Sequence, residues 1–579
     1  MKGVLHLELP KAFSMAVRPF QGREAQQLIE KAYHYQQRDL NPHFWKYVLV
    51  QMGEEDLAYD LLNKADSAMS SYTKFIKTIE QKSEAIDEVT LALSGIVLNP
   101  DILSIGDLNA LAIRLKEDHL LVRYFDQLLT DKMFRENYLI SLGCESETSL
   151  FLAILLGYRL KKKNPKALLC IGRHHFENFS LLNRLEAIKA NGDLFKYIDA
   201  ISYYDEAKAD TYLSLMAYFQ GGAASNLKNV VLPKGGEYVI HKTTYVPQLA
   251  KPKNPLYWQS LDDYWQDLDL HPEKLHYNYP LINNQCYYSK CSFCVQIRKH
   301  MSVKSFEEQD AMDRSIAHLL YLRDRHGLKY FSFMDEALRP KDLKTLVNHQ
   351  EFRKAGFLWN MRLIADANFK EDLIEDLYSA GCREALFGLE TIQEDTAMDM
   401  VKVSQRSELK HIVTLIFKFS NRGIRLILSM IYNFPTAPKD EDKVLMDFAR
   451  KLTHLNNGVD FIFNQFSLFG NTPVFENRQD YGIQKIYDPG AQEDLYNVYS
   501  YEAQERGCSI DDKRDFNYKL IQLDLKEKDY TRSDFANLYP RLNDAHALYY
   551  SSWGFIYRVK HQAGLYQELK NQILDAGYD

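Results

Sequence analysis

Gln285-Cys286-Tyr287-Tyr288-Ser289-Lys290-Cys291-Ser292-Phe293-Cys294 puts three cysteines within nine residues of a 579-residue chain that has only seven. Four residues separate the first pair and two the second. Such a loop brings three thiolates to one soft metal centre and leaves a metal position for something else to bind. Iron–sulfur clusters and zinc both suit thiolate ligands. The loop alone keeps both readings open.

Downstream of it, buried runs alternate with helices. Lys329–Met334 reads as a strand, with a helix opening near Pro340. Leu358–Ile364 is the next strand, followed by a helix from Lys370 to Ala380 that Gly381 stops; Leu373, Ile374, Leu377 and Tyr378 form its apolar stripe. Glu384–Phe387, Ile424–Ile431 and Val459–Phe466 continue the series with helices between them. Five to six βα units predict a partial (β/α)6 barrel of TIM type, short of the full eight.

Upstream, Tyr138–Gly143, Ala167–Ile171 and Tyr197–Ser202 read as strands with helices between, one opening through the capping run Glu145-Ser146-Glu147-Thr148. That alternation predicts right-handed crossovers and a parallel sheet. The first 130 residues show one opening strand and much amphipathic helix. The expected class is therefore α/β: an N-terminal doubly wound, Rossmann-like domain over 1–240, a linker at 241–275 marked by Pro247, Pro252 and Pro255, the partial barrel over 276–475, and a mainly helical, tyrosine-rich region over 476–579.

Composition is that of a globular chain, 46% apolar and 26% charged, and the formal charge of −7 gives no reason to invoke nucleic acid or an anionic membrane. Met1–Pro10 alternates apolar with polar residues and is not read as a signal peptide; Leu5, Leu7 and Leu9 would share one strand face. Apolar runs such as Leu150–Gly157 and Leu426–Tyr432 are too short to span a bilayer. Cys144, Cys170, Cys382 and Cys508 stand apart from one another and read as free thiols, which suits a cytoplasmic setting.

Parallel α/β folds bind ligands at the carboxyl ends of their strands. Asp335-Glu336 follows one such strand here, Asn360-Met361-Arg362 lies in the next, Gly388-Leu389-Glu390 ends another and Tyr432-Asn433-Phe434-Pro435 closes a fourth. Carboxylates and one arginine at successive strand ends suit a ligand with an amine, a carboxylate and ribose hydroxyls, and Gly388 would let backbone approach it closely. Charges at strand ends are also common on ordinary surface loops.

The cysteine loop taken with Phe333-Met334-Asp335-Glu336-Ala337-Leu338, Ala380-Gly381-Cys382-Arg383 and Leu386-Phe387-Gly388-Leu389-Glu390-Thr391 resembles the radical S-adenosylmethionine (SAM) enzymes. More narrowly it resembles those with an N-terminal cobalamin-binding-type domain. The motifs fall over about Asn278–Asn471, and the cysteine spacing is that of a variant loop, one residue longer than the commonest. The resemblance implies a [4Fe-4S] cluster on Cys286, Cys291 and Cys294 with SAM on its fourth iron. Phe293 would lie against the adenine, Asp335 or Glu336 would face the SAM amine, Glu390 the ribose hydroxyls and Arg362 the methionine portion. SAM would be cleaved to methionine and a 5′-deoxyadenosyl radical that takes hydrogen from an unactivated C–H bond. An electron donor such as flavodoxin or ferredoxin and a peptide or small-molecule substrate are implied as partners, and cobalamin would add methyl transfer.

The Asp-x-His-x-x-Gly cobalamin signature is absent, as in many of these relatives, and Gly172-Arg173 stands where they usually have two glycines. Arg173 would either intrude on a corrin or make a polar contact with it. A corrin-free N-terminal domain is therefore one alternative. A non-catalytic zinc site of Cys286, Cys291, Cys294 and His300 is another. His174-His175 would point to opposite faces of a strand and not share an ion. Arg298-Lys299-His300 reads as solvated surface more readily than as a steering patch, and Tyr549-Tyr550 with Trp553 as helix packing more readily than as a substrate channel.

Overall fold

The computed structural model describes residues 1–11, 16–17, 28–63, 74–75, 78–79, 89–92, 95–98, 104–135, 138–144, 146–173, 175–176, 179–181, 185–203, 209–243, 262–268, 270–271, 276–282, 286–295, 308–364, 369–402, 407–438, 441, 444–445, 448, 452, 459–470, 472–487, 498–503 and 507–508. The chain divides into two compact units that separate between Lys274 and Leu275. Among the described residues no helix is long and apolar enough to cross a membrane.

The first unit is built on β1 (Gly3–Glu8), β2 (His34–Asp39), β3 (Tyr138–Gly143), β4 (Leu168–Arg173), β5 (Ala200–Ser202), β6 (Val230–Lys234) and β7 (Glu237–His241). Their order in the sheet is β7-β6-β5-β4-β3-β1-β2. The first five run parallel, and β6 and β7 turn back antiparallel at the edge. This is the doubly wound order 2-1-3-4-5, which reverses between β1 and β3. β1 and β3 are buried along their whole length, as central parallel strands must be. The helix Glu147–Lys163 opens where expected: Ser146 and Ser149 cap it reciprocally, and Lys161, Lys162 and Lys163 lie in its last turn.

The first 130 residues, read as one opening strand and much amphipathic helix, also hold β2: His34-Tyr35-Gln36-Gln37-Arg38-Asp39 is paired with β1 and buries Tyr35, Gln37 and Asp39 on one face. The stretch read as a linker belongs to the unit in its last part. There Tyr264 and Trp265, on the helix Asp262–Asp267, are buried, and the His271 amide donates to the Leu62 carbonyl at 3.0 Å.

The second unit carries β8 (His276–Tyr279), β9 (Tyr330–Phe333), β10 (Leu358–Leu363), β11 (Cys382–Glu390), β12 (Arg425–Tyr432) and β13 (Val459–Gln465). Each is parallel to the next, in chain order, as the succession of βα units predicts. The helices Glu308–His326, Pro340–Asn348, Glu371–Ser379 and Ser407–Arg422 alternate with them. Gly381 ends its helix at a φ of +96°, and a Cβ there would lie 1.9 Å from the Phe357 carbonyl oxygen. No other residue type could turn the chain into β11 so close to β10.

The region from 476 onward, expected to be helical, is β-structure where it is described. β14 (Leu468–Phe469), β15 (Ile483–Tyr487) and β16 (Val498–Ala503) form an antiparallel sheet, which the pair Gly507–Cys508 extends. Val498-Tyr499-Ser500-Tyr501 alternates in the period of a strand, with Tyr501 buried; abundant tyrosine signals sheet at least as well as helix. Tyr549, Tyr550 and Trp553 lie outside the described residues.

Candidate active site

The cysteine loop follows β8, and the chain grips it from three sides. Asp335, just past β9 and only 1% exposed, accepts from the amides of Leu281 at 2.6 Å and Ile282 at 3.1 Å, fixing the segment that enters the loop. Cys286 then pairs in parallel with Ala337. The short helix Glu394–Asp399 ends in carbonyls that point at the loop. The Asp399 carbonyl accepts from Ser292 Oγ at 2.8 Å, that of Met400 from the Ser292 amide at 3.0 Å, and that of Val401 from Tyr288 Oη at 2.6 Å. On the remaining side the Val474 amide donates to the Ser292 carbonyl at 3.0 Å.

The three thiols share one environment. Burial pushes the Cys291 thiol up, the Lys402 ammonium pulls it down, and Glu390 and Cys286 push it up again. Cys286 and Cys294 are partly exposed while Cys291 is buried, so the loop has a wet side and a dry side. Among the described residues no three His, Cys, Asp or Glu side chains converge on a single ion. A cubane takes one thiolate per iron and does not require such convergence. His300, the fourth ligand of the zinc alternative, lies outside the described residues, as do Arg298 and Lys299.

The strand-end residues divide by availability. Both Asp335 oxygens are engaged by backbone, whereas Glu336 is partly exposed and pairs with Arg362 at 2.8 Å. Phe293 packs against a core of Met400, Phe434, Phe466, Val474 and Tyr501, to which the antiparallel sheet contributes Leu468, Ile483 and Tyr501. Glu390 is buried, at a φ of +67°, beyond a register shift that follows Gly388. Its Oε1 lies 3.1 Å from Lys402 Nζ and its Oε2 3.4 Å from Ser429 Oγ. Gly388 is bare for a reason of its own: a Cβ there would meet Glu390 Oε1 at 2.8 Å and Lys402 Nζ at 2.9 Å.

Lys402 is the residue beside the cysteines that sequence reasoning did not single out. It belongs to no spaced motif, and only the return of the chain after the helix Glu394–Asp399 brings it to the cysteines.

In the first unit the carboxyl ends of β1, β3 and β4 carry a buried polar network. His6 bridges Ser141 Oγ at 3.0 Å and Glu8 Oε1 at 2.9 Å, Ser141 meets Tyr212 Oη at 2.8 Å, and Arg173 Nη2 donates to Glu8 Oε2 at 2.5 Å. Burial works against the Glu8 charge, but Arg173 and His6 hold its carboxyl well below the usual range. Arg173 turns to Glu8 and is 4% exposed. Gly172 leaves room for Ser141 and Tyr212, whose oxygens lie 2.2 and 2.7 Å from its would-be Cβ. His174 lies outside the described residues, and of His175 only the backbone is described.

Asp39, at the end of β2, accepts from the Asn41 amide at 2.9 Å, and burial pushes its carboxyl up to about 6 against the opposing pull of Lys11. The folded chain therefore keeps a proton that the unfolded chain releases near pH 4, and stability falls as pH rises through that window. Asp39→Asn keeps the accepting oxygen and removes the buried charge. It is expected to stabilise the chain by about 1–3 kcal/mol at pH 8 and by little at pH 4. Urea unfolding at the two pH values checks this; an equal change at both would contradict it.

No protein-family model matches the chain. The chain shares its fold with solved structures of a cobalamin-dependent radical SAM enzyme. The structure of the cobalamin-dependent S-adenosylmethionine radical enzyme OxsB with aqua-cobalamin bound matches 99% of this chain and 75% of that one, at a TM-score of 0.54 and 11% identity. The OxsB structure with aqua-cobalamin and SAM bound matches at 0.50 and 10% identity, over 99% of this chain and 80% of that one. In sequence, bacteriochlorophyllide d C-12(1)-methyltransferase of Chlorobaculum tepidum is 26% identical over 196 residues, which is 33% of this chain. The match spans 40% of that relative's length.

Proposed function

We propose that the chain is a radical SAM enzyme that abstracts hydrogen from an unactivated C–H bond of a peptide or small natural product, with cobalamin-dependent methyl transfer as the outcome. The observation that carries the reading is the cysteine loop pinned against the strand ends beside Gly388, Glu390 and Lys402. Cys286, Cys291 and Cys294 would hold a [4Fe-4S] cluster, and the donor set fits one: three thiols in one neighbourhood on a loop shaped by its own hydrogen bonds. When bound, cluster and SAM together supply a 5′-deoxyadenosyl radical, and cobalamin supplies the methyl group.

The chain's own residues bind, orient and exclude water. Glu336, which pairs with Arg362, would face the SAM amine, with Arg362 beside the methionine portion. Phe293 gives the adenine an apolar wall backed by Phe434 and Phe466. Gly388 and Glu390 shape the ribose side. A corrin would be held at the carboxyl ends of the strands where the strand order of the first unit reverses, between β1 and β3. The methyltransferase relative supports methyl transfer as the reaction class. The cysteines described with their side chains form no disulfide, which suits a reducing cytoplasm and an electron donor such as flavodoxin or ferredoxin.

Anaerobic reconstitution with iron and sulfide, then incubation with SAM and dithionite, tests the reading. A brown protein that forms 5′-deoxyadenosine supports it, and a colourless zinc-loaded protein that forms none overturns it. Hydroxocobalamin retained through gel filtration at about one per chain supports the corrin. No retained corrin would reduce the reading to hydrogen abstraction by a corrin-free enzyme.

A further inference from the structure

We infer that Lys402 is a positioning residue whose ammonium offsets the charge of the thiolate-bound cluster and sets its reduction potential. The inference rests on the cluster reading above. Lys402 is reached through a tight turn after the helix Glu394–Asp399, in which Val401 adopts a φ of +56° and the Lys402 amide donates to the Ala397 carbonyl at 2.9 Å. This is the same turn whose carbonyls hold Ser292 and Tyr288, so one structural element fixes both the cysteine loop and the ammonium.

The charge is deliberately housed. Nζ lies 3.1 Å from Glu390 Oε1, donates to the Gly388 carbonyl at 3.2 Å and sits 5.9 Å from the Phe293 ring centre. The Lys402 and Glu390 side chains are each only 9% exposed. Burying two charges costs several kcal/mol of desolvation, so such a pair is a poor way to gain stability alone. Burial opposes the lysine's charge, but Glu390 outweighs it and holds the ammonium above the ordinary lysine range, and Cys291 and Cys294 act in the same direction. Water would screen this charge if it were exposed; here the charge acting against it at Cys291 is that of Glu390.

Reducing a cluster adds one negative charge. A nearby cation favours the reduced form and a nearby anion the oxidised form, and net charge is one of the levers on cluster potential. Lys402 and Glu390 should therefore push in opposite directions, which simple packing would not do. The test is an EPR-monitored redox titration of the full chain, reconstituted without SAM. Lys402→Met is expected to shift the midpoint to more negative potential, Lys402→Arg to keep it near wild type, and Glu390→Gln to shift it to more positive potential. If Lys402→Met fails to take up a cluster, Glu390→Gln against wild type decides, since Lys402 is then intact. Unchanged midpoints, or shifts of one sign in Lys402→Met and Glu390→Gln, overturn the inference. A wild-type chain that takes up no cluster at all sinks the functional reading itself, a result distinct from wild type and variants titrating alike.

Discussion

Cys291→Ala is expected to lose the visible absorption of the reconstituted cluster and its 5′-deoxyadenosine formation, by more than about 100-fold, while Cys508→Ala keeps both. Losing a group that merely supports a metal ligand already costs about 10–100-fold in affinity or activity, and Cys291 would be a ligand. It is the buried member of the trio, flanked by the tightest anchoring, since Ser292 alone makes three of the loop's hydrogen bonds. Within the second unit the other thiol described with its side chain, Cys382, is not placed to substitute. Cys382 opens β11, at the end of that strand opposite to Glu390, and burial pushes its thiol well up. Cys170 lies within β4 of the first unit and is shifted the same way by its burial. Iron and sulfide analysis with anaerobic product assays checks the pair of variants. A Cys291→Ala protein that still holds four irons would remove the loop from the mechanism.

Asp335→Ala should be nearly as severe without touching a ligand. Its two oxygens satisfy the Leu281 and Ile282 amides in a setting where little water can replace them. Hydrogen bonds to a charged group contribute about 1.5–3 kcal/mol each, so losing both should cost about 3–6 kcal/mol. The loss falls on the segment that leads into Cys286, so iron content should drop together with the urea midpoint. Asp335→Asn should lie between, because its amide can satisfy only one of the two donors. A stable Asp335→Ala protein with full iron content would show that the loop entry is held by something else.

How legible the chain was follows from how local each signal is. The cysteine spacing, Gly381 and the buried runs of β9 to β12 are decided within a few residues, and all sit where sequence reading put them. Roles decided by distant partners were not readable. Glu8 and Arg173 are 165 residues apart, and nothing near either says that the guanidinium turns inward. Asp335 and Glu336 look equivalent as neighbours on paper, yet one is consumed by backbone donors while the other pairs with Arg362. β2 was lost because its polar residues hide the alternation of its buried face, and Lys402 because a lysine after a short helix is the blandest of surface signals.

The hydrogen bonds that hold the loop at Ser292 and Tyr288 run to backbone carbonyls and an amide, none of which depends on iron. A small zinc finger collapses when stripped, since its metal is its core. Here oxidative bleaching should leave a scaffold still in shape. Air damage would then be repairable by recharging the same molecule, with no need to refold or replace it.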